Sequence, residues 1–447
     1  MFKNVSIIVL IILLLLAILM EPLVLGRIGG ISTVMLGVAM CLLIASYKRD
    51  DTPFLNAVNQ VILANKGLFF LLACHYFWVI IGYFRDLEGV SSSEVKQHMT
   101  FIFSLFLGLF LVVNKKYSRF LIFMMVPLML YHTFTAKSFI DYTGEELRDA
   151  ITESGGLAFG HTYYWSGFAM LILILFGQLL DEKKVIIKIV GAMCLIPLYY
   201  IMLTCSFATP IAAFLIGHIL FGLAYFRFGK KGAAQFFIRL AVFAGLLIGS
   251  VYVAYQLSQA EDEKRPNSIQ SRFQSMIEDP RGGGYSGKKE SRFALILISI
   301  DTFKRNPIFG CGGGYLGNPQ TGGHQAIADY LALYGIVGGG PFILFVFLCF
   351  RNAGRRCKQE QSWVSYGRFA ATGIYVIIGI VNPAWMGQAV VPFLLLAQPF
   401  KLPKQHLGLN QPKPRTQMSN PTHRLTQSHR GSQRGLQRES YRINKPL

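Results

Sequence analysis

Asn306-Pro307-Ile308-Phe309-Gly310-Cys311-Gly312 and, further on, Tyr334-Gly335-Ile336-Val337-Gly338 mark the passage from a polar segment back into a hydrophobic run. The polar segment covers residues 258–325 and is rich in charge and glycine. It is set in a chain of 447 residues that is 53% hydrophobic and only 15% charged; soluble proteins average about 25% charged residues. The charge is clumped, so many uncharged stretches approach the ~20 residues that cross a bilayer as a helix. The pattern predicts an all-α polytopic membrane protein of about 12 transmembrane helices, with a large outward loop containing helices between the ninth and tenth.

The expected spans lie near residues 5–23, 29–47, 67–84, 98–113, 120–136, 162–180, 185–204, 207–226, 236–257, 326–350, 368–383 and 387–400. The first apolar run has no small-residue cleavage site and is followed by a second, so it reads as a span and not as a cleaved signal peptide. With the N-terminus inside, the inward loops carry Lys48-Arg49, Lys115-Lys116, Lys183-Lys184, Lys230-Lys231 and Arg355-Arg356, whereas residues 137–161 facing outward are acidic. This asymmetry sets the orientation, with both termini cytoplasmic.

Four parts follow: residues 1–257 with helices 1–9 and short loops, the outward loop 258–325, residues 326–400 with helices 10–12, and the tail 401–447. The tail holds ten Lys and Arg against one acid and cannot bury enough apolar surface to fold. Residues 53–66 read either as an amphipathic helix on the inner surface or as an extension of the third span. A net charge of +20 would suggest nucleic acid in a soluble protein. Here the inward loops account for it, and no nucleic-acid partner is expected. Cys311 is the only outward-loop cysteine and no CxxC spacing occurs, so neither an outward disulfide nor a metal site is implied.

Loops as long as 258–325 are uncommon without function. Within it, Phe293, Ile296, Leu297, Ile300 and Phe303 recur at helical spacing, with Ser291 placed as an N-cap and Asn306-Pro307 as the stop. Pro280-Arg281-Gly282-Gly283-Gly284 before it is a candidate lid hinge. Arg272 and Arg292 each lie in a Ser-Arg-Phe triplet, and Arg305 ends the helix. A guanidinium fork suits a diphosphate, since it donates two parallel hydrogen bonds and stays charged in a partly dry site. A solvated face of near-balanced charge is the alternative for any one of these arginines.

His324 and His161 combine an outward position with the approach to a span, where a neutral imidazole can take a proton from a hydroxyl. A capping role for His324 is equally open on the residue alone. His75, His132 and His218 read as helix-packing hydrogen bonders. Asp329, five residues after His324, is an acid at the start of a span; it either orients His324 or binds hydroxyls. Gly310 and Gly312 belong to a glycine-rich turn whose amides could bind a phosphate. No strand precedes the turn, so a nucleotide fold is not implied.

Taken together, Ser291-Arg292, Asn306-Pro307-x-x-Gly310-x-Gly312, His324 and Gly335-Ile336-Val337-Gly338 behind nine spans resemble the O-antigen ligase and O-antigen polymerase superfamily. The resemblance is specific over about residues 270–345 and topological elsewhere. It implies a bacterial inner-membrane glycosyltransferase with a periplasmic active site. Such an enzyme moves a glycan from undecaprenyl diphosphate to an acceptor sugar with inversion and uses neither metal nor cofactor.

Carried over by position, Arg292 and Arg272 hold the donor diphosphate and His324 activates the acceptor hydroxyl. Asp329, Arg305, Gly310 and Gly312 stand as supporting residues. The implied partners are the lipid-linked donor, a lipid A-core or growing-glycan acceptor, and the bilayer; oligomeric state is open. O-antigen ligase leads, with the repeat-unit polymerase next and a lipid-linked sugar transporter behind. Two departures from the pattern are Ser206-Phe207-Ala208, where many members have Ser-Arg-Gly, and Gln325, where many have Asn.

Overall fold

The computed structural model describes residues 52–85, 92–113, 162–204, 208–229, 233–259, 292–312, 321–322, 325–382, 385, 394 and 397–401. The described residues are helical. In chain order the helices are α1 (Thr52–Ala64), α2 (Lys66–Arg85), α3 (Ser92–Val113), α4 (Thr162–Asp181), α5 (Val185–Thr204), α6 (Ala208–Phe228), α7 (Ala233–Gln259), α8 (Arg292–Arg305), α9 (Ala326–Glu360) and α10 (Trp363–Val381). Four described segments are long and apolar enough to cross a membrane: Lys66–Phe84, Thr209–Phe228, Ala326–Glu360 and Trp363–Val381. Apolar stretches in α4, α5 and α7 are shorter. Helices therefore stand on eight of the expected spans. The segments at 5–23, 29–47 and 120–136, most of 387–400, and the tail beyond 401 lie outside the described residues.

The core is aromatic and aliphatic, with Phe168, Phe214, Phe221, Phe342, Phe345, Tyr366 and Tyr375 fully buried. At one end of the bundle the helix termini are joined by polar caps. Asp181 at the end of α4 accepts the Trp363 and Val364 amides at 3.1 and 2.9 Å, neutralising orphan donors at the start of α10. Ser362 and Ser365 complete a capping box there. Asn65 separates α1 from α2, so most of 53–66 is the distinct helix Thr52–Ala64, while Lys66 already opens α2.

At the other end, α9 is interrupted at Gly335, whose φ of 63° and ψ of −170° are open essentially only to glycine. An unbroken helix would bond the Ile336 and Val337 amides to the Ala332 and Leu333 carbonyls. Here those amides donate instead to Pro307 and Ile308 carbonyls, at 2.9 and 3.1 Å. The Ala332 and Leu333 carbonyls accept in turn from the Cys311 and Gly312 amides, at 2.9 and 3.1 Å. Two segments, each with an aromatic-glycine pair at its centre (Phe309-Gly310 and Tyr334-Gly335), thus exchange the hydrogen bonds that a continuous helix would make within itself.

The exchange requires near-contact of two backbones. A Cβ on Gly310 would overlap the Leu333 carbonyl, and one on Gly335 would overlap the Ile308 carbonyl. Helix α2 locks the pair from the side: Trp78 donates from Nε1 to the Phe309 carbonyl at 3.2 Å and stacks on the Phe309 ring at 5.2 Å. One turn earlier, buried His75 donates from Nδ1 to the Gly338 carbonyl at 2.9 Å.

Gly312 shares the left-handed φ of 73° with Gly310, but a Cβ there meets nothing. Gly312→Ala should therefore cost about 1–3 kcal/mol from backbone strain. Gly310→Ala and Gly335→Ala should lose clearly more, measured as melting temperature and membrane accumulation of the detergent-extracted protein. Equal losses at all three positions would show that the close approach adds nothing.

Candidate functional site

Helix α8 forms where the apolar spacing places it and stops at Asn306-Pro307. Its middle residue Ser299 is fully buried against the start of α9. The Ser299 hydroxyl donates to Asp329 Oδ1 in a short hydrogen bond and accepts from the Gly322 amide at 2.8 Å. The second oxygen of Asp329, a residue only 1% exposed, accepts the Gln325 amide at 3.1 Å. Gln325 is the N-cap of α9, its side-chain oxygen accepting the Ala328 amide at 2.5 Å. Residues 322 and 325 are thus both tied to one buried carboxylate and its serine, which fixes the ends of the segment carrying His324.

A further contact joins this segment to the first turns of α8. Gly322 approaches the Leu295 carbonyl so closely that a Cβ would overlap it. Leu295 lies one turn after Arg292, about 4.5 Å along the helix axis. The fold therefore sets the first turns of α8 against the chain at Gly322.

The other candidates distribute as follows. His324 and Arg272 lie outside the described residues, as does the expected N-cap Ser291, and Arg292 is described only as the start of α8. Arg305 stands at the far end of the same helix, about 20 Å from Arg292. It is exposed and bound to Asp301 at 2.6 Å, so α8 does not bring it to the Arg292 end. The Gly310 and Gly312 amides, read as possible phosphate donors, are engaged instead. Gly310 N–H donates to the Asn306 carbonyl at 2.9 Å and Gly312 N–H to Leu333. Asp329 bonds Ser299 through one oxygen and the Gln325 amide through the other. Burial pushes the Cys311 thiol above its ordinary range, against a nucleophilic role. Among the described residues no group of three or more His, Cys, Asp and Glu could hold a metal ion.

Sequence reasoning did not single out two buried polar residues near these elements. Ser299 carries no motif, and only its burial beside Asp329 reveals it. His98, 6% exposed, meets Tyr334 Oη through Nε2 at 3.5 Å and lies 6.1 Å from the His75 ring, in an aromatic cluster below the site with Tyr76 and Tyr330. The helix-packing reading of two other histidines matches their contacts. His75 bonds Gly338, while His218 bonds the Phe214 carbonyl at 2.9 Å and Tyr199 Oη at 2.8 Å.

An all-helical bundle with membrane-length apolar helices, carrying a cap-and-carboxylate site beside a repaired helix break, defines a polytopic membrane protein. Residues 192–346 match the O-Antigen ligase family model, and this supports the O-antigen ligase superfamily for the chain. The matched region runs from α5 into α9 and contains α8, the Asn306-Pro307 turn, the Asp329 network and the Gly335 break. That match supports a ligase- or polymerase-type, glycan-related function. No curated protein matches the chain.

Removing one partner of the Ser299–Asp329 bond leaves a buried polar group unsatisfied, at a cost of about 1–3 kcal/mol. Ser299→Ala and Asp329→Ala should each lower thermal stability. Their double variant should be less destabilised than the sum by at least about 0.5 kcal/mol, as partners in one network are. Strict additivity in that cycle would sever the link.

Proposed function

We propose that the chain is a glycosyltransferase of the bacterial inner membrane, acting at its periplasmic face, that moves a glycan from undecaprenyl diphosphate onto the lipid A-core. The observation that carries this reading is the Leu295–Gly322 contact together with the Ser299–Asp329–Gln325 network, inside the region matching the O-Antigen ligase family. These features support a meeting of Arg292 and His324 over one substrate headgroup.

In the proposed reaction His324 takes the proton of an acceptor hydroxyl as its oxygen attacks the anomeric carbon. The bond from that carbon to the diphosphate oxygen breaks on the opposite face, inverting the centre. Arg292 and Arg272 donate bidentate hydrogen bonds to the departing diphosphate, whose charge grows as the bond breaks. Asp329 acts through the chain, holding the amide of Gln325 next to His324 and so limiting the positions the imidazole can take. The reaction so written needs no metal and no cofactor.

The Gly335 break bears on the transporter alternative. Transporters use interrupted helices whose freed backbone groups coordinate substrate near the bilayer midplane. Here the amides of Ile336 and Val337 and the carbonyls of Ala332 and Leu333 are all taken up by the 307–312 turn. That favours a transferase over a transporter.

Membranes holding each variant would be supplied with undecaprenyl-diphosphate-linked polymer and lipid A-core, and the joined product quantified. His324→Ala should lower transfer by about 100-fold or more at normal protein accumulation, the range of a lost general base. Transfer at the wild-type rate would remove His324 from the chemistry. Arg292→Lys should cost at least about tenfold because a point charge cannot reproduce the fork; full activity would show that charge alone suffices. In cells lacking the protein, intact lipid-linked polymer unattached to the core indicates the ligase, and a single repeat on the core indicates the polymerase.

A further inference from the structure

At the capped end of the bundle, opposite the Asp329 site, a cavity of about 270 Å³ opens between the α1–α2 junction and the last turns of α9. That is far more than the ~10–15 Å³ a single water occupies. Its walls include four cationic side chains, Lys66, Arg351, Arg355 and Lys401. Among the described residues no carboxylate pairs with any of them. The contrast with the neighbouring turn of α9 is informative. There Arg356 binds Glu360 at 2.9 Å and the Gln398 carbonyl at 3.0 Å, and Arg368 approaches the same Glu360 at 4.0 Å. Glu360 is committed to Arg356 and Arg368, and Lys401 has Arg355 and Arg351 beside it. Lys401 registers that crowding: burial first, then Arg355 and Arg351, push its ammonium below its ordinary value.

Crowded cations at a fixed position need a built frame, and the structure has one. Asn65, 2% exposed, donates from its side-chain amide to the Val61 carbonyl at 2.8 Å and to the Lys401 carbonyl at 3.0 Å. Its side-chain oxygen accepts the Lys401 amide at 2.9 Å and is approached by the Asn352 amide at 3.5 Å. The chain at Lys401 is thereby pinned to the α1–α2 junction and to α9. The frame holds like charges together at a level where Lys66 opens one membrane-length helix and Arg351 and Arg355 lie near the end of another.

We infer that the cavity framed by Asn65 and Asn352 and walled by Lys66, Arg351, Arg355 and Lys401 is a binding site for the phosphate headgroup of an anionic phospholipid. A phosphodiester supplies the negative charge the four cations lack, and guanidiniums bind its oxygens as forks. The apolar part of the wall decides between a lipid and a free anion. Leu63 and Leu348 line the same cavity, with Leu63 60% exposed, so the site continues from cations to an aliphatic surface as a lipid does from headgroup to acyl chain. Basic pockets between membrane helices on the positively charged side hold anionic lipids by this chemistry. The cavity also lies far from the proposed transfer chemistry. From Asp329 to Arg351 along α9 is on the order of 30 Å, one hydrocarbon thickness. This inference therefore stands or falls independently of that activity.

The test titrates full-length protein in detergent with phosphatidylglycerol, phosphatidylcholine or inorganic phosphate, reading bound lipid by native mass spectrometry and stability by melting temperature. Wild type should bind phosphatidylglycerol at least about tenfold more tightly than phosphatidylcholine. The triple variant Arg351→Gln/Arg355→Gln/Lys401→Gln should lose that preference. The variant Lys183→Gln/Lys184→Gln removes charge from the same end of the bundle but outside the cavity, and it should keep the preference. An equal loss in the Lys183/Lys184 variant would overturn the site in favour of a diffuse basic surface. Stabilisation by inorganic phosphate at equal concentration, dependent on the same three cations, would overturn the lipid as occupant. If the triple variant does not accumulate, Arg351→Gln and Arg355→Gln singly should each weaken phosphatidylglycerol binding by about threefold or more. No change in either would overturn the proposal.

Discussion

A peptide group buried away from water without a partner costs several kcal/mol, and a helix interrupted at Gly335 frees two amides and two carbonyls. Irregular backbone buried away from water is stable only if protein groups pair with it. The turn at residues 307–312 provides the cover by presenting complementary donors and acceptors in matching order. The arrangement works because glycine stands at the centre of both segments, where any side chain would hold the backbones apart. Trp78 and His75 of α2 then bond carbonyls on either side of the junction. Much of the amide-rich turn that resembles a phosphate cradle is in this way committed to closing a helix.

That junction has a consequence for the candidate site. It anchors the C-terminal end of α8 to α9, while the Ser299–Asp329 bond anchors its middle. A helix held at two levels against a membrane-length partner has little freedom to slide or rotate. The Ser299–Asp329 pair, one of these two attachments, also holds the chain at Gly322 and Gln325. Asp329 is buried because its charge is satisfied by a hydroxyl and an amide, and the resulting cap also organises the start of α9. The departure at Gln325 fits this frame, since its side chain caps the helix as Asn would.

Charge divides the molecule between its two ends. Among the described residues at the capped end cations outnumber carboxylates, with Glu360 and Asp181 engaged by Arg356, Arg368 and the start of α10. At the other end, among the described residues, the buried carboxyl of Asp329 is matched by neutral donors. Positive excess on one side is the usual orientation signal of membrane proteins, and here it also gathers into a cavity rather than dispersing over a surface.

The sequence alone determined the helical, membrane-spanning class, because an apolar run of the right length has few other stable states in lipid. It also placed α8 to within a residue of its observed ends, since helical periodicity and an Asn-Pro stop are local signals. The motif glycines and Asp329 were visible as unusual residues, but their roles were not. Whether an amide is offered to a phosphate or to a carbonyl across the bundle depends on what packs against it, and only the fold brings residue 310 to residue 335. Ser299, His98 and the cation cavity left no pattern in the chain, for each is defined by neighbours far away in sequence. Local periodicity and composition are written along the chain, whereas burial and pairing arise from long-range contacts that tertiary structure alone creates.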